Sequence, residues 1–203
     1  MLEKVRNYLE ILDENALSIE RKAVLQPLVD YIQNKLDANL DIKLNFICTH
    51  NSRRSQFGQI WAKAAAEYYS ISVFTFSGGV EVTAFHPNAL KAIQKAGFKT
   101  IQSGTSTNPE QHIVITKEKE PLITFSKKFD DPVNPTEGFA AIMTCSHANE
   151  TCPFIAGADK RIPMTYEDPK EFDGTPQEEQ KYEERSRQIA TEMKYVFSKI
   201  KTT

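Results

Sequence analysis

Over the first 40 residues the apolar positions keep a helical period. Leu2, Val5, Leu9 and Leu12 form one stripe with no strand-like alternation, which predicts a helix. Ser18 is placed as the N-cap of a second helix, and Pro27 either breaks it or opens a further segment carrying Leu28, Tyr31, Ile32 and Leu36. These residues, 1–40, read as a helical extension joined through Ala38-Asn39-Leu40-Asp41 to a main domain over 41–203.

From residue 42 the pattern changes to short apolar runs followed by helical stretches, which is the signature of βαβ units around a mostly parallel sheet with flanking helices, an α/β fold. Lys43 to Ile47 reads as the first strand, and Phe57, Ile60, Trp61, Ala64, Ala65 and Tyr68 recur as one face of the helix that follows. Ser72 to Ser77 reads as a second strand ended by Gly78-Gly79, Pro87 to Ala96 as a helix stopped by Gly97, and Phe139 to Thr144 as a third, buried strand. Two runs, His112–Thr116 and Leu122–Phe125, predict a hairpin insertion at an edge of the sheet. The proline-rich stretch from Pro153 to Pro176 reads as a long loop covering a site. A last amphipathic helix spans about residues 177–200, with Tyr182, Ile189, Met193, Val196, Phe197 and Ile200 on one face.

Composition narrows the class. The chain has 203 residues, enough for one domain with an extension, and a net charge of −2, which argues against a nucleic-acid coat or a polybasic membrane binder. No run approaches the ~18 apolar residues of a membrane span, and the charged N-terminus lacks the apolar core of a signal peptide. Three cysteines are too few for a disulfide scaffold and favour a reducing cytoplasm, where thiols stay free to react.

One segment concentrates the chemistry: Cys48-Thr49-His50-Asn51-Ser52-Arg53-Arg54-Ser55, placed where a strand gives way to a helix. A thiol at a helix N-terminus meets free N–H groups and the helix dipole, both of which favour thiolate. The five residues between Cys48 and Arg54 can wrap a loop whose N–H groups converge on one anion, and Arg54 adds a bidentate fork. Together they predict a cradle for a tetrahedral oxyanion with a nucleophile beneath it. The plainer alternative is a buried structural cysteine beside surface arginines. A second segment, Cys145 to Cys152-Pro153, follows the third strand, and parallel topology puts Cys145 on the same sheet edge as Cys48. The Cys145–Cys152 spacing is too wide for half of a zinc site, and no further cysteine pair completes one.

Cys-x5-Arg-Ser after the first strand resembles the low-molecular-weight tyrosine phosphatase superfamily, which includes thioredoxin-coupled arsenate reductases. The likeness covers about residues 42–200. It implies that Cys48 is the nucleophile and Arg54 the oxyanion ligand, that Asn51 braces the loop, and that Ser55 donates to the thiolate. Thr49, His50, Ser52 and Arg53 complete the loop. His50 stands where the family usually has glycine, a strained substitution if that position requires positive φ, and Arg53 adds positive charge where a second cysteine is common. The Cys145/Cys152 pair is similar to the resolving pair of the arsenate reductases. Asp168-Pro169 occupies the place of the family's proton donor, with Asp131-Pro132 as a second copy of the dipeptide.

The resemblance therefore implies reduction of arsenate to arsenite through a Cys48 adduct and a disulfide relay, with a thioredoxin-like reductant and no metal or organic cofactor. Lys170 after Asp168-Pro169, where phosphatases carry tyrosine, and Gln56 after Ser55 lean toward the reductase branch. The alternative is a phosphatase acting on phosphotyrosine or a small phosphate ester through a Cys48 phosphoenzyme. A third reading is a non-catalytic anion-binding or redox-sensing module.

Overall fold

A computed structural model describes residues 1–151 and 154–202. Four strands, β1 (Lys43–Cys48), β2 (Phe74–Gly79), β6 (Phe139–Met143) and β7 (Ala158–Pro163), pair in parallel in the order β2-β1-β6-β7. Helices α3 (Arg54–Tyr68), α4 (Pro87–Lys95) and α6 (Glu178–Ser198) flank this sheet, and a short α5 (Ser146–Thr151) follows β6. The fold is thus the α/β arrangement expected, and the C-terminal ends of β1, β6 and β7 deliver their loops to one edge.

Helix α3 is buried on nearly every side, because the sheet covers one face and α6 the other. Trp61 at its centre is fully buried; its indole N–H donates to Ser186 Oγ of α6 at 2.9 Å. The N-terminal helices, α1 (Glu3–Glu10) and α2 (Ile19–Asp37), put Val5, Leu9, Leu25, Leu28 and Ile32 into that same core. Tyr8 of α1 stacks on Trp61 at 5.3 Å between ring centroids. Ser18 caps α2 as expected, accepting from Arg21 N–H at 3.1 Å.

Four details differ from the sequence expectations. Pro27 neither breaks α2 nor opens a new segment; it lies inside one continuous helix, whose buried face outweighs the single missing donor. Gly78 and Gly79 are the last residues of β2 rather than its terminator. A Cβ on Gly78 would sit 2.2 Å from Phe129 Cα, and one on Gly79 would sit 2.7 Å from Asn51 N, so both mark close backbone approaches. The hairpin exists, as β4 (Glu110–Val114) and β5 (Leu122–Thr124), but it does not extend the main sheet. It joins β3 (Lys99–Ser103) in a separate antiparallel sheet ordered β3-β4-β5. Finally, the 153–176 stretch is not all loop, since β7 lies within it; its exposed face is polar and it has a single fully buried side chain, Ile162, so no apolar run announces it.

No described helix is long and apolar enough to cross a membrane.

Candidate active site

The loop from Cys48 to Arg54 turns back at Asn51, whose φ of +47° is the left-handed conformation that asparagine tolerates well. The turn therefore falls at Asn51 and not at His50, which keeps negative φ and is unstrained. Every polar atom of Asn51 is engaged. Its N–H donates to Cys48 Sγ at 3.2 Å and its side-chain amide to Ser55 Oγ at 2.8 Å; Oδ1 accepts from Lys127 N–H at 3.0 Å, and the carbonyl accepts from Gln56 Nε2 at 3.0 Å. Because Ser55 Oγ already accepts from Asn51, its own hydrogen is left for Cys48 Sγ, 3.1 Å away. Cys48 is buried at the foot of this loop.

Arg54 opens α3 and is also buried. Its Nη1 donates to the Tyr166 carbonyl at 3.0 Å and Nη2 to Asp168 Oδ2 at 2.6 Å, while Nε finds no partner among the described residues. A buried guanidinium N–H left without an acceptor is a site prepared for an anion's oxygen. Asp168 divides its carboxylate between Arg54 and the Lys170 N–H, 3.1 Å from Oδ1. Asp131, the other aspartate followed by proline, accepts from Val133 N–H in a turn.

Cys145, two residues past the end of β6, is buried with Ile47, Cys48, Met143 and Ala148 in one small cluster. Its Sγ accepts from Ala148 N–H at 3.3 Å and lies 3.5 Å from the Thr49 hydroxyl, whose oxygen is also 3.4 Å from His147 Nδ1. Two thiols thus flank Thr49. Cys152 lies outside the described residues. Among those described, no group of three or more His, Cys, Asp or Glu is placed to hold a metal.

The remaining loop residues serve the frame. Ser52 Oγ donates to the Ala84 carbonyl at 2.6 Å; His50 Nε2 is 3.5 Å from Glu81 Oε2. Arg53 does not add its charge to the anion cradle, because its side chain runs to Tyr182 and Asp173 instead. An open cleft of about 270 Å³ adjoins the loop between His50, Thr83, His86 and Lys170.

Several frame roles escaped the sequence reading, which used Gln56 only as a mark of the reductase branch. Gln56 reaches back to the Asn51 carbonyl and across to that of Phe125, at 3.0 and 3.1 Å. Gly79 lets β2 touch the loop, and Tyr166 contributes only a carbonyl, a group every residue has. Gly79 carried a signal in its doublet with Gly78; the others carried none that pattern or spacing could register.

A buried thiol that accepts a loop N–H, followed by an arginine-led helix at the carboxyl edge of a parallel sheet, is an arrangement able to hold an oxyanion above a nucleophile. No family model matches the chain. It is 28% identical over 133 residues to an arsenate reductase of Halalkalibacterium halodurans, covering 66% of this chain and 78% of that one. In fold it is similar to a low-molecular-weight phosphotyrosine phosphatase of Vibrio cholerae, with a TM-score of 0.52 at 12% identity over 77% of this chain and 94% of that one. It is also similar to an arsenate reductase in the reduced state, with a TM-score of 0.50 at 19% identity over 79% and 99% of the two chains. The chain is thus similar in sequence to curated arsenate reductases, and its fold is similar to that of a low-molecular-weight phosphotyrosine phosphatase.

Proposed function

We propose that the protein is an arsenate reductase in which Cys48 is the nucleophile, Arg54 and the loop N–H groups hold the oxyanion, and Asp168 is the proton donor. The observation that carries this over a phosphatase is Cys145, a second thiol buried against Thr49 on the sheet edge that bears Cys48. The curated relative named arsenate reductase supports the same choice.

In this mechanism the Cys48 thiolate attacks arsenic, and an arsenate oxygen leaves as water after taking the Asp168 proton. The bound anion competes with Asp168 for Arg54. Cys145 then attacks Cys48 sulfur. The S–S bond forms, the S–As bond breaks, and its electron pair stays on arsenic, which departs as arsenite. Cys152 attacks Cys145 and releases Cys48, and a thioredoxin-like dithiol in the cytoplasm reduces the Cys145–Cys152 bridge. No metal or organic cofactor takes part.

Side-by-side assays decide between reductase and phosphatase. With arsenate, thioredoxin and its reductase, wild-type protein is expected to turn over repeatedly. Cys145→Ser is expected to stop that cycle and to keep aryl phosphate hydrolysis, in which water replaces the resolving thiol. Arsenate turnover by Cys145→Ser at the wild-type rate overturns the relay; hydrolysis of aryl phosphate with no arsenate turnover by wild type makes the protein a phosphatase.

A further inference from the structure

Arg53 and Arg54, adjacent at the start of α3, reach opposite ends of one short segment. Arg54 holds Asp168 as described, and Arg53 holds Asp173, with Nη2 to Oδ2 at 3.2 Å. Between the two aspartates lies a single 3-10 turn, Pro169–Phe172. Tyr182 of α6 closes the second attachment: its hydroxyl accepts from Arg53 Nε at 2.6 Å and donates to Asp173 Oδ1 at 2.7 Å. Its ring is fully buried, and the His86 imidazole stacks on it at 5.0 Å with an interplanar angle of 21°.

The two attachments differ in what the reaction asks of them. The Arg54–Asp168 bond must loosen when Arg54 turns its fork to the oxyanion and Asp168 turns to the leaving oxygen. Were it the sole tie, the segment carrying the acid would be free at the moment its position matters. The Arg53–Asp173–Tyr182 cluster contains no group that touches the reacting atoms, so nothing in the cycle breaks it. It joins the oxyanion loop to the acid segment, and its base is a helix packed against α3.

We propose that Arg53, Asp173 and Tyr182 are positioning residues that hold the Asp168 carboxyl over the leaving oxygen while Arg54 is engaged with the anion. This rests on the assignment of Asp168 as the proton donor. A misplacement of the acid by an ångström is enough to cost it much of its effect. The loss should then fall on proton delivery alone, leaving nucleophilic attack and anion binding in place.

Hydrolysis of a series of aryl phosphates, from dinitrophenyl to unsubstituted phenyl, separates these steps, because a good leaving group departs without a proton and a poor one does not. Single-turnover arsenate reduction, followed as loss of free thiol, supplies the same comparison on the proposed substrate. Asp168→Asn is expected to lower rates on the order of a hundredfold for phenyl phosphate and for arsenate, with little change for dinitrophenyl phosphate. Asp173→Asn and Tyr182→Phe are expected to follow that pattern at about tenfold, with the inhibition constant for inorganic phosphate within about twofold of wild type. Arg53→Lys, which keeps the charge and loses the two-point fork, should fall between these variants and wild type.

Equal losses across the leaving-group series and weakened phosphate binding would make the cluster a merely structural support, and wild-type rates in both variants would remove it altogether. Either outcome overturns the proposal. If Asp168→Asn itself shows no leaving-group dependence, the acid assignment fails instead, and the cluster loses the residue it was proposed to position. Where Tyr182→Phe folds poorly by circular dichroism, Asp173→Asn, at a partly exposed position, carries the same comparison.

Discussion

Arg21 of α2 and Glu192 of α6 meet in a two-pronged salt bridge, Nε to Oε1 at 2.8 Å and Nη2 to Oε2 at 2.7 Å, and Glu192 is completely buried. The Tyr166 hydroxyl donates to the same carboxylate at 2.7 Å, and the Arg21 guanidinium lies 4.7 Å from the centre of its ring. Since the Tyr166 carbonyl holds Arg54, the N-terminal helices reach the site through a buried charge pair. Removing one partner leaves the other charge buried alone. Arg21→Met is therefore expected to destabilise the fold by about 3–5 kcal/mol, a fall in Tm on the order of 10 °C. The double variant with Glu192→Met should recover much of that loss, and thermal unfolding by circular dichroism checks both.

Arg54→Lys keeps the charge but removes the planar fork that spans two oxygens and the Tyr166 and Asp168 contacts made by separate nitrogens. A loss on the order of a hundredfold in kcat/KM is expected, comparable to deleting a preorganised oxyanion donor. Steady-state kinetics with arsenate and with an aryl phosphate should show it on both substrates, because the cradle is common to them.

Cys48 and Cys145 are both buried, yet only Cys48 lies at the foot of the loop that leads to Arg54 and accepts the Asn51 N–H. Iodoacetamide at neutral pH is expected to modify Cys48 first, with inorganic phosphate slowing that reaction and leaving the slower labelling of Cys145 unchanged. Peptide mapping by mass spectrometry reads the order. Equal labelling with no phosphate protection would remove the oxyanion loop from the mechanism.

Lys127 places its ammonium 4.6 Å from the Phe125 ring centre, and burial lowers its pKa from an ordinary 10.5 to about 8, with Asp131 opposing the shift. Between those values the unfolded chain binds a proton that the folded chain does not. The contribution of Lys127 to stability therefore rises as pH climbs from about 8 toward 10.5, and the cost of burying the charge is fully present below pH 8. Lys127→Met is expected to be more stable than wild type at pH 7, with the difference shrinking toward pH 10. Urea denaturation at several pH values gives both curves.

Local patterns in the sequence determined the pieces whose physics is local. The Ser18 cap, the strand–loop–helix around Cys48 to Ser55, the stop at Gly97 and the apolar face of α6 each depend on a few consecutive or periodic residues. Parallel topology then sufficed to put Cys145 beside the first loop, since carboxyl ends of parallel strands share an edge. Strands β3 and β7 were illegible because neither has an apolar run: β3 is largely solvent-exposed, and β7 buries little beyond Ile162. What only the tertiary structure decided are the pairings between residues distant in the chain. Arg53 and Asp173 are 120 positions apart, Arg21 and Glu192 171, and the side chains are ordinary surface types until burial removes their water. Charge partners are chosen by which groups the packed core leaves facing each other, and no periodicity along the chain carries that information.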